Sequence, residues 1–328
     1  MSISQDLAYL RAADLDEALR HLEKDGACVH GGGSDLVTCL REGTVTCAQV
    51  ISIGGLDDLR AITPTSIGAL ATIAELGRHE EIERRLPALA AAARAVGSPQ
   101  LRNQGTLGGN LCQKPRCWYW RGDFHCLRQG GDTCYAAFGQ NHGHAIFGAE
   151  ACVYVHPSDT AVALTAYEAR VRIAGPGRSS RTRTVPVDEF FVLPADDPTR
   201  ETVVGRGEIV TAVEVPAPPD GHVGVYRKIR ARGAWDFALT SAAIVLAFEG
   251  GDRGKPVRHA RLVLGGVAPA PWRAAAAEQA LVGRRLDEST IAAAAEAAVA
   301  DASALDHNGF KIDLVQGVLR EELQSLAG

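Results

Sequence analysis

The stretch VHGGGSDLV, residues 29–37, decides how this chain is read. Before it comes LDEALRHLEKDG, in which Leu15, Ala18, Leu19 and Leu22 recur at helical spacing, and then the brief strand-like run ACV. Ser34 is a candidate N-cap for a helix that opens after the glycines. The local order is therefore helix, strand, glycine loop, helix. Glycines carry no Cβ, so main-chain N–H groups in such a loop can turn toward an anion and approach it closely, and a following helix adds partial positive charge. GTLGGN, residues 105–110, repeats this character. Either loop alone is compatible with a plain tight turn; two together point to a pyrophosphate. Neither fits G-x-G-x-x-G with an acidic residue about 20 positions on, nor G-x-x-x-x-G-K-[ST], so the anion must be held in some other way.

Outward from the first loop, AQVISI, LRAIT and SIGAL are candidate strands, and Thr72 with Glu75 has capping-box spacing. EEIERRL and PALAAAARAVG are helical. After residue 157, TAVALTAYEARVRIAG and RTRTVPVDEFFVL read as strand-rich, and VPAPPDGH makes a boundary near residue 218. Beyond it GVYRKIRA, TSAAIVLAFEG and RHARLVLGGVA are strand-like, followed by helical segments to the end. Strands and then helices suggest an α+β layer with helices on one face.

A chain of 328 residues with 46% hydrophobic and 22% charged residues can fill two or three domain cores. The net charge of −5 comes without a basic stripe, so nothing points to nucleic acid or an anionic membrane. MSISQDLAYLRAADLDEALRHLEKDG lacks the parts of a signal peptide, and no apolar run approaches the roughly 18 residues of a membrane span. The expectation is a chain made in the cytoplasm, reaching the periplasm only with a signal-bearing partner. In a reducing compartment its cysteines are metal ligands, catalytic groups or core residues before they are disulfides.

VHGGGSDLV, IGALATIAEL, SPQLRNQGTLGGNL, HPSDTAVALTAYEA and LVLGGVAPAPWRAAAAEQALVG, in this order, resemble the FAD-binding medium subunit of the molybdenum hydroxylases. This is the family of the carbon monoxide dehydrogenase medium subunits and the flavin domain of xanthine dehydrogenase. The resemblance implies an α+β fold: a two-part FAD-binding domain of the vanillyl-alcohol oxidase (PCMH) type over 1–217, then a small α+β domain of the carbon monoxide dehydrogenase flavoprotein type over 218–328. It implies that Val29, His30, Gly31, Gly32, Gly33, Ser34, Asp35 and Leu36 wrap the pyrophosphate, with Gly105, Thr106, Gly109 and Asn110 forming a second loop against it. It also places Asp159 near the nucleotide and Lys228 near the flavin.

Asn110 and Pro157 lie 47 positions apart, whereas most of the family joins these motifs by a short link. The intervening segment, about 112–155, holds five of the eight cysteines: Cys112, Cys117, Cys126, Cys134 and Cys152. Separations of 9, 8 and 18 residues from Cys117 to Cys152 match neither tandem C-x-x-C ferredoxins nor zinc ribbons, and spacing alone does not choose iron over zinc. The segment looks like the insertion of periplasmic aldehyde oxidoreductase and 4-hydroxybenzoyl-CoA reductase flavoproteins, which implies an added 4Fe-4S cluster on Cys117, Cys126, Cys134 and Cys152. Cys112 competes with Cys152 for the fourth place. Cys28, Cys39 and Cys47 read as buried small hydrophobes. His125, His142 and His144 are expected at the surface or around the ligands, and Trp118, Tyr119 and Trp120 are expected to cover the cluster or meet a partner.

The resemblance thus implies an electron-transfer subunit of a heterotrimeric molybdenum-containing aldehyde oxidoreductase. A large subunit would carry the molybdenum cofactor and a small one the 2Fe-2S clusters, and an external acceptor would take the electrons. Alternatives are a medium subunit of a 4-hydroxybenzoyl-CoA reductase or xanthine dehydrogenase-like enzyme, a stand-alone flavin oxidase, and a zinc-stapled nucleotide-binding module. The chain has no C-x4-C-x2-C run, G-x-S-x-G or H-E-x-x-H, so no catalytic residue is assigned in it.

Overall fold

The computed structural model describes residues 7–63, 65–177 and 181–327. The first six residues of the N-terminal segment read for a signal lie outside it. Three short strands, β1 (Ala8–Arg11), β2 (Ala27–His30) and β3 (Gln49–Ser52), form a parallel sheet in the order β1-β3-β2. Leu15–Leu22 is helical as its spacing requires: Asp14 accepts the Glu17 N–H at 2.7 Å, and Ala18, Leu19 and Leu22 bury one face against Ile51. The register Val29↔Ile51 and His30↔Ser52 sends the glycine loop out of the carboxyl end of β2. The helix after it, Leu36–Glu42, is capped by Asp35 and not Ser34, and Asp35 makes no side-chain cap bond. Its carboxylate is committed elsewhere.

A second sheet combines β4 (Ser66–Gly68), β5 (Arg170–Gly175), β6 (Arg181–Pro186) and β7 (Ile209–Glu214) in the antiparallel order β4-β7-β5-β6. The Thr72–Glu75 capping box forms, with both reciprocal bonds present. LRAIT is not a strand; only Ile62 bridges to Ile67. The strand-rich reading of TAVALTAYEARVRIAG fails in its first half, because Asp159–Ala166 is a helix with Ser158 as N-cap, accepting the Ala161 N–H at 3.0 Å. All eight of its residues are buried, so no polar face marks it as helical. In RTRTVPVDEFFVL, likewise, only β6 is strand and Val187–Phe190 is a helical turn.

The third sheet is antiparallel, β11-β10-β9-β8, from β8 (Val223–Ile229), β9 (Thr240–Phe248), β10 (Val257–Gly265) and β11 (Trp272–Arg273). β9 is buried along its whole length. Ala242, Ile244, Leu246 and Phe248 join the core under the helices Ala275–Leu281, Glu288–Ala297 and Phe310–Leu326. Ala243 and Val245 face the other way, into the core of the second sheet's helices. The α+β architecture is thus present, with a refinement. The C-terminal helices cover one face of their sheet, and helices Pro87–Ala95 and Asp159–Ala166 cover the other.

Residues 112–157 are mostly irregular, with single helical turns at Trp118–Arg121 and Tyr135–Phe138. They pack between the glycine loops and the start of the last helix.

Candidate cofactor sites

The glycine loop offers a row of uncommitted donors. Among the described residues, no backbone or side-chain acceptor takes the N–H of Gly31, Gly32, Gly33, Ser34 or Asp35. Successive free N–H groups of this kind make an anion-binding concavity. Gly33 sits at φ +71°, and a Cβ there would strike the His30 ring at 2.3 Å. At Gly32 a Cβ would stand 1.9 Å from the Gln104 carbonyl oxygen. Gln104 Nε2 donates to the Gly32 carbonyl at 3.0 Å, so the two glycine loops touch. In the second loop Thr106 caps Leu107–Leu111 by accepting the Gly109 N–H at 3.2 Å, and a Cβ on Gly31 would lie 3.2 Å from Thr106 Oγ1. Val29 is partly exposed at the end of β2, and the His30 carbonyl accepts the Ile53 N–H at 3.0 Å. Leu36 begins the following helix.

Asn110 closes this loop onto the helix that follows Pro157. Its Oδ1 accepts from Ser158 Oγ at 2.7 Å and Thr160 Oγ1 at 2.6 Å. Asp159 and Lys228, which the resemblance sends to the nucleotide and the flavin, meet each other at 2.7 Å, and Tyr226 OH donates to Asp159 at 2.6 Å. Burial holds the Asp159 carboxyl above its ordinary range, a shift that the neighbouring Lys228 only partly opposes.

Sequence spacing gave no hint of what Asp35 does. It accepts the Lys114 N–H at 2.7 Å and pairs with Arg116 at 2.7 Å and Arg121 at 3.2 Å, and Arg121 also reaches Glu42 at 2.7 Å. The anion loop and the cysteine-bearing segment are thereby tied through one carboxylate.

In that segment Cys117, Cys126, Cys134 and Cys152 line a single cavity with Tyr119, Trp120 and other largely apolar side chains, and Cys112 lies outside it. All eight cysteines are free thiols. N–H groups of Trp120 and Tyr119 point at the Cys117 sulfur, and those of Val153, Ala137 and Ala136 at Cys134. Burial pushes the Cys117 thiol up; Cys134 is drawn down to about 6, chiefly by the hydrogen bond from Cys152. Arg128, also lining the cavity, lies between the rings of Trp120 and Tyr154 and pairs with buried Glu201. Trp120 is buried in the cavity wall, whereas Trp118 is exposed. Cys39 and Cys47 are buried as expected, Cys28 only partly. His125 and His142 are at the surface, but His144 is buried against Cys117.

Among the described residues no three His, Cys, Asp or Glu side chains converge as ligands of one metal ion. A cubane instead takes one thiolate at each of four irons around a cavity, with N–H donors to sulfur, and this donor set fits that requirement.

Residues 4–218 match the family profile described as FAD binding domain in molybdopterin dehydrogenase, and residues 225–326 match the CO dehydrogenase flavoprotein C-terminal domain. The chain is similar to the aldehyde oxidoreductase FAD-binding subunit PaoB of Escherichia coli (strain K12), 36% identical over 81% of this chain and 82% of that one. It is 28% identical to the glyceraldehyde dehydrogenase medium chain of Sulfolobus acidocaldarius, over 87% of this chain and 84% of that one. Carbon monoxide dehydrogenase from Hydrogenophaga pseudoflava superposes with a TM-score of 0.75 at 26% identity, covering 98% of both chains. An α+β C-terminal layer and a profile match over most of the chain agree: it belongs to the FAD-binding medium subunits of the molybdenum hydroxylases, and is a subunit of an oxidoreductase.

Proposed function

We propose that this chain is the FAD- and 4Fe-4S-binding electron-transfer subunit of a heterotrimeric molybdenum-containing aldehyde oxidoreductase. The observation that carries the reading is the gathering of Cys117, Cys126, Cys134 and Cys152 around one cavity in a segment tied through Asp35 to the free N–H row. The names of two relatives, aldehyde oxidoreductase and glyceraldehyde dehydrogenase, support aldehydes as the substrate class of the assembled enzyme.

The N–H groups of Gly31 to Asp35 hold the FAD diphosphate, framed by Val29, His30 and Leu36, and Gly105, Thr106, Gly109 and Asn110 close the other side. Asp159 stands near the nucleotide portion and Lys228 near the flavin, the two held to each other at 2.7 Å. Residues 1–217 form the FAD-binding domain and 218–328 the C-terminal domain. Thiolates of Cys117, Cys126, Cys134 and Cys152 hold the cluster, and Arg128 offsets its charge. Bound FAD and cluster supply one- and two-electron redox capacity; the protein positions them and excludes water. A large molybdenum-cofactor subunit, a small 2Fe-2S subunit and an external acceptor complete the system, in the cytoplasm or, by co-export with a signal-bearing partner, in the periplasm. Among the described residues no helix is long and apolar enough to cross a membrane.

Anaerobic purification with the partner subunits tests this. Roughly four irons and one FAD per medium chain, beyond the irons of the small subunit, with aldehyde-dependent reduction of the flavin, are the expected result. Zinc in place of iron, or a flavin that aldehydes leave oxidised, overturns it.

A further inference from the structure

His144 is only 4% exposed, whereas His125 and His142 of the same segment lie at the surface. Its Nε2 is 3.3 Å from the Cys117 sulfur. Its Nδ1 is buried and, among the described residues, has no partner at full hydrogen-bond geometry. The rings of Trp118 and Tyr119 flank it at 6.2 and 6.3 Å between centroids. Among the described residues Cys117 is the polar side chain that meets this imidazole at hydrogen-bond distance, and the Asn141 carbonyl also faces the ring.

The main chain at this point is clamped by the C-terminal domain. The His144 N–H donates to the Asn141 carbonyl at 2.8 Å, and the His144 carbonyl accepts from Lys311 Nζ at 2.9 Å and Asn308 Nδ2 at 3.3 Å. Lys311, itself fully buried, also donates to the Gly266 carbonyl at 2.7 Å. Asn141 accepts the His307 N–H at 3.0 Å. A buried lysine spent on two main-chain carbonyls is a costly way to hold a loop, since desolvating an ammonium is expensive. Here it fixes the residue that faces a cluster ligand.

We propose that His144 is a positioning residue that tunes the cluster, its neutral imidazole donating Nε2–H to the Cys117 thiolate from a backbone pinned by Asn308 and Lys311. The inference rests on the reading that Cys117 ligates a 4Fe-4S cluster. A metal-bound thiolate carries no proton, so the hydrogen in this contact belongs to Nε2, and the sulfur selects the tautomer. A reduced cluster bears one more negative charge than an oxidised one. A donor at its sulfur therefore favours reduction and raises the potential.

The test is a redox titration of the assembled complex followed by electron paramagnetic resonance. His144→Phe keeps a ring and loses the donor; His144→Gln keeps a donor near the Nε2 position. H144F is expected to lower the reduction equilibrium about tenfold, a midpoint lower by about 59 mV for one electron. H144Q is expected to recover most of this, and K311M to lower the midpoint by a smaller amount while the flavin midpoint stays in place. A shift under about 10 mV in H144F, less than a twofold change, overturns the inference. If H144F loses its iron, Asn308→Ala decides by the same titration, and an unmoved midpoint there overturns it. A wild-type complex without the cluster signal defeats the proposed function itself, a result distinct from a cluster present with an unaltered potential.

Discussion

Asp159 and Lys228 meet at 2.7 Å across the join between the FAD-binding region and the C-terminal sheet, with side chains 6% and 3% exposed. The carboxylate opens the helix Asp159–Ala166, and the lysine stands on β8 beside Tyr226. Lys228 also donates to the Ala95 carbonyl at 3.3 Å, so one ammonium links the sheet to two helices of the other region. Buried charges of this kind persist only when paired and fully hydrogen-bonded. Two residues whose motifs suggest cofactor contact are here partners of each other.

Lys228→Met should therefore cost about 3–5 kcal/mol, the penalty for leaving a buried carboxylate uncompensated. Denaturant unfolding of the FAD-loaded protein measures it. The double variant D159N/K228M should recover part of the loss, because it strands no charge. A loss below about 1 kcal/mol in the single variant would show that water reaches the pair.

Gly32→Ala has nowhere to put its methyl group, since the Gln104 carbonyl occupies that space at 1.9 Å. The two glycine loops would have to separate, and the row of N–H donors would lose its curvature. FAD should dissociate at least tenfold more readily, read by flavin fluorescence on dilution, with the thermal unfolding of the rest of the chain little changed. Retention of FAD at wild-type affinity would place the diphosphate elsewhere.

The sequence carried the fold where one face of an element is wet. Leu15–Leu22 and the Thr72–Glu75 box were legible because their apolar or capping spacing is local. Asp159–Ala166 was not, because a helix buried on every side shows no periodicity and its Thr and Val favour strands. The refinement at β9 was hidden for the same reason: both of its faces are covered, so an unbroken apolar run cannot say by what. The glycine loops and cysteines could be nominated from residue type and motif order. The Asp35 contacts could not, because Lys114, Arg116 and Arg121 lie about 80 residues downstream and leave no pattern that local reading detects. His144 differed from its neighbours in nothing that spacing could show.

Asp35→Asn should loosen the anion loop and the cysteine segment together. The variant keeps an oxygen for the Lys114 N–H but loses the charge that faces Arg116 and Arg121, both largely buried. Leaving guanidinium groups short of an anion costs on the order of 3 kcal/mol. Iron content and FAD content are expected to fall in parallel. A fall in one alone would mean that the carboxylate does not couple the two sites.

Cys126→Ser and Cys112→Ser separate ligand from bystander. Cys126 lines the cavity, whereas Cys112 sits next to the second glycine loop, where burial pushes its thiol up to about 12. C126S should lose the broad iron–sulfur absorption and keep most of its FAD; C112S should keep both. A cluster lost in C112S and retained in C126S would reverse the ligand assignment.

His156 should set a pH dependence of stability. Its ring is buried, packs edge-on to Phe191 at 4.5 Å between centroids, and accepts the Ser158 N–H at Nδ1 at 3.4 Å, with the Leu111 backbone also facing it. Burial holds its pKa at about 3, against 6.5 for an ordinary histidine. Below pH 6.5 the unfolded chain takes up a proton that the folded chain refuses, so the stability this group contributes is complete above 6.5 and is lost as pH falls toward 3. The slope is up to about 1.4 kcal/mol per pH unit. Denaturant unfolding at pH 7 and pH 5 should show the wild type losing more stability than His156→Leu over this interval, by roughly one proton's worth. Equal losses in the two proteins would mean that His156 accepts a proton while the chain stays folded.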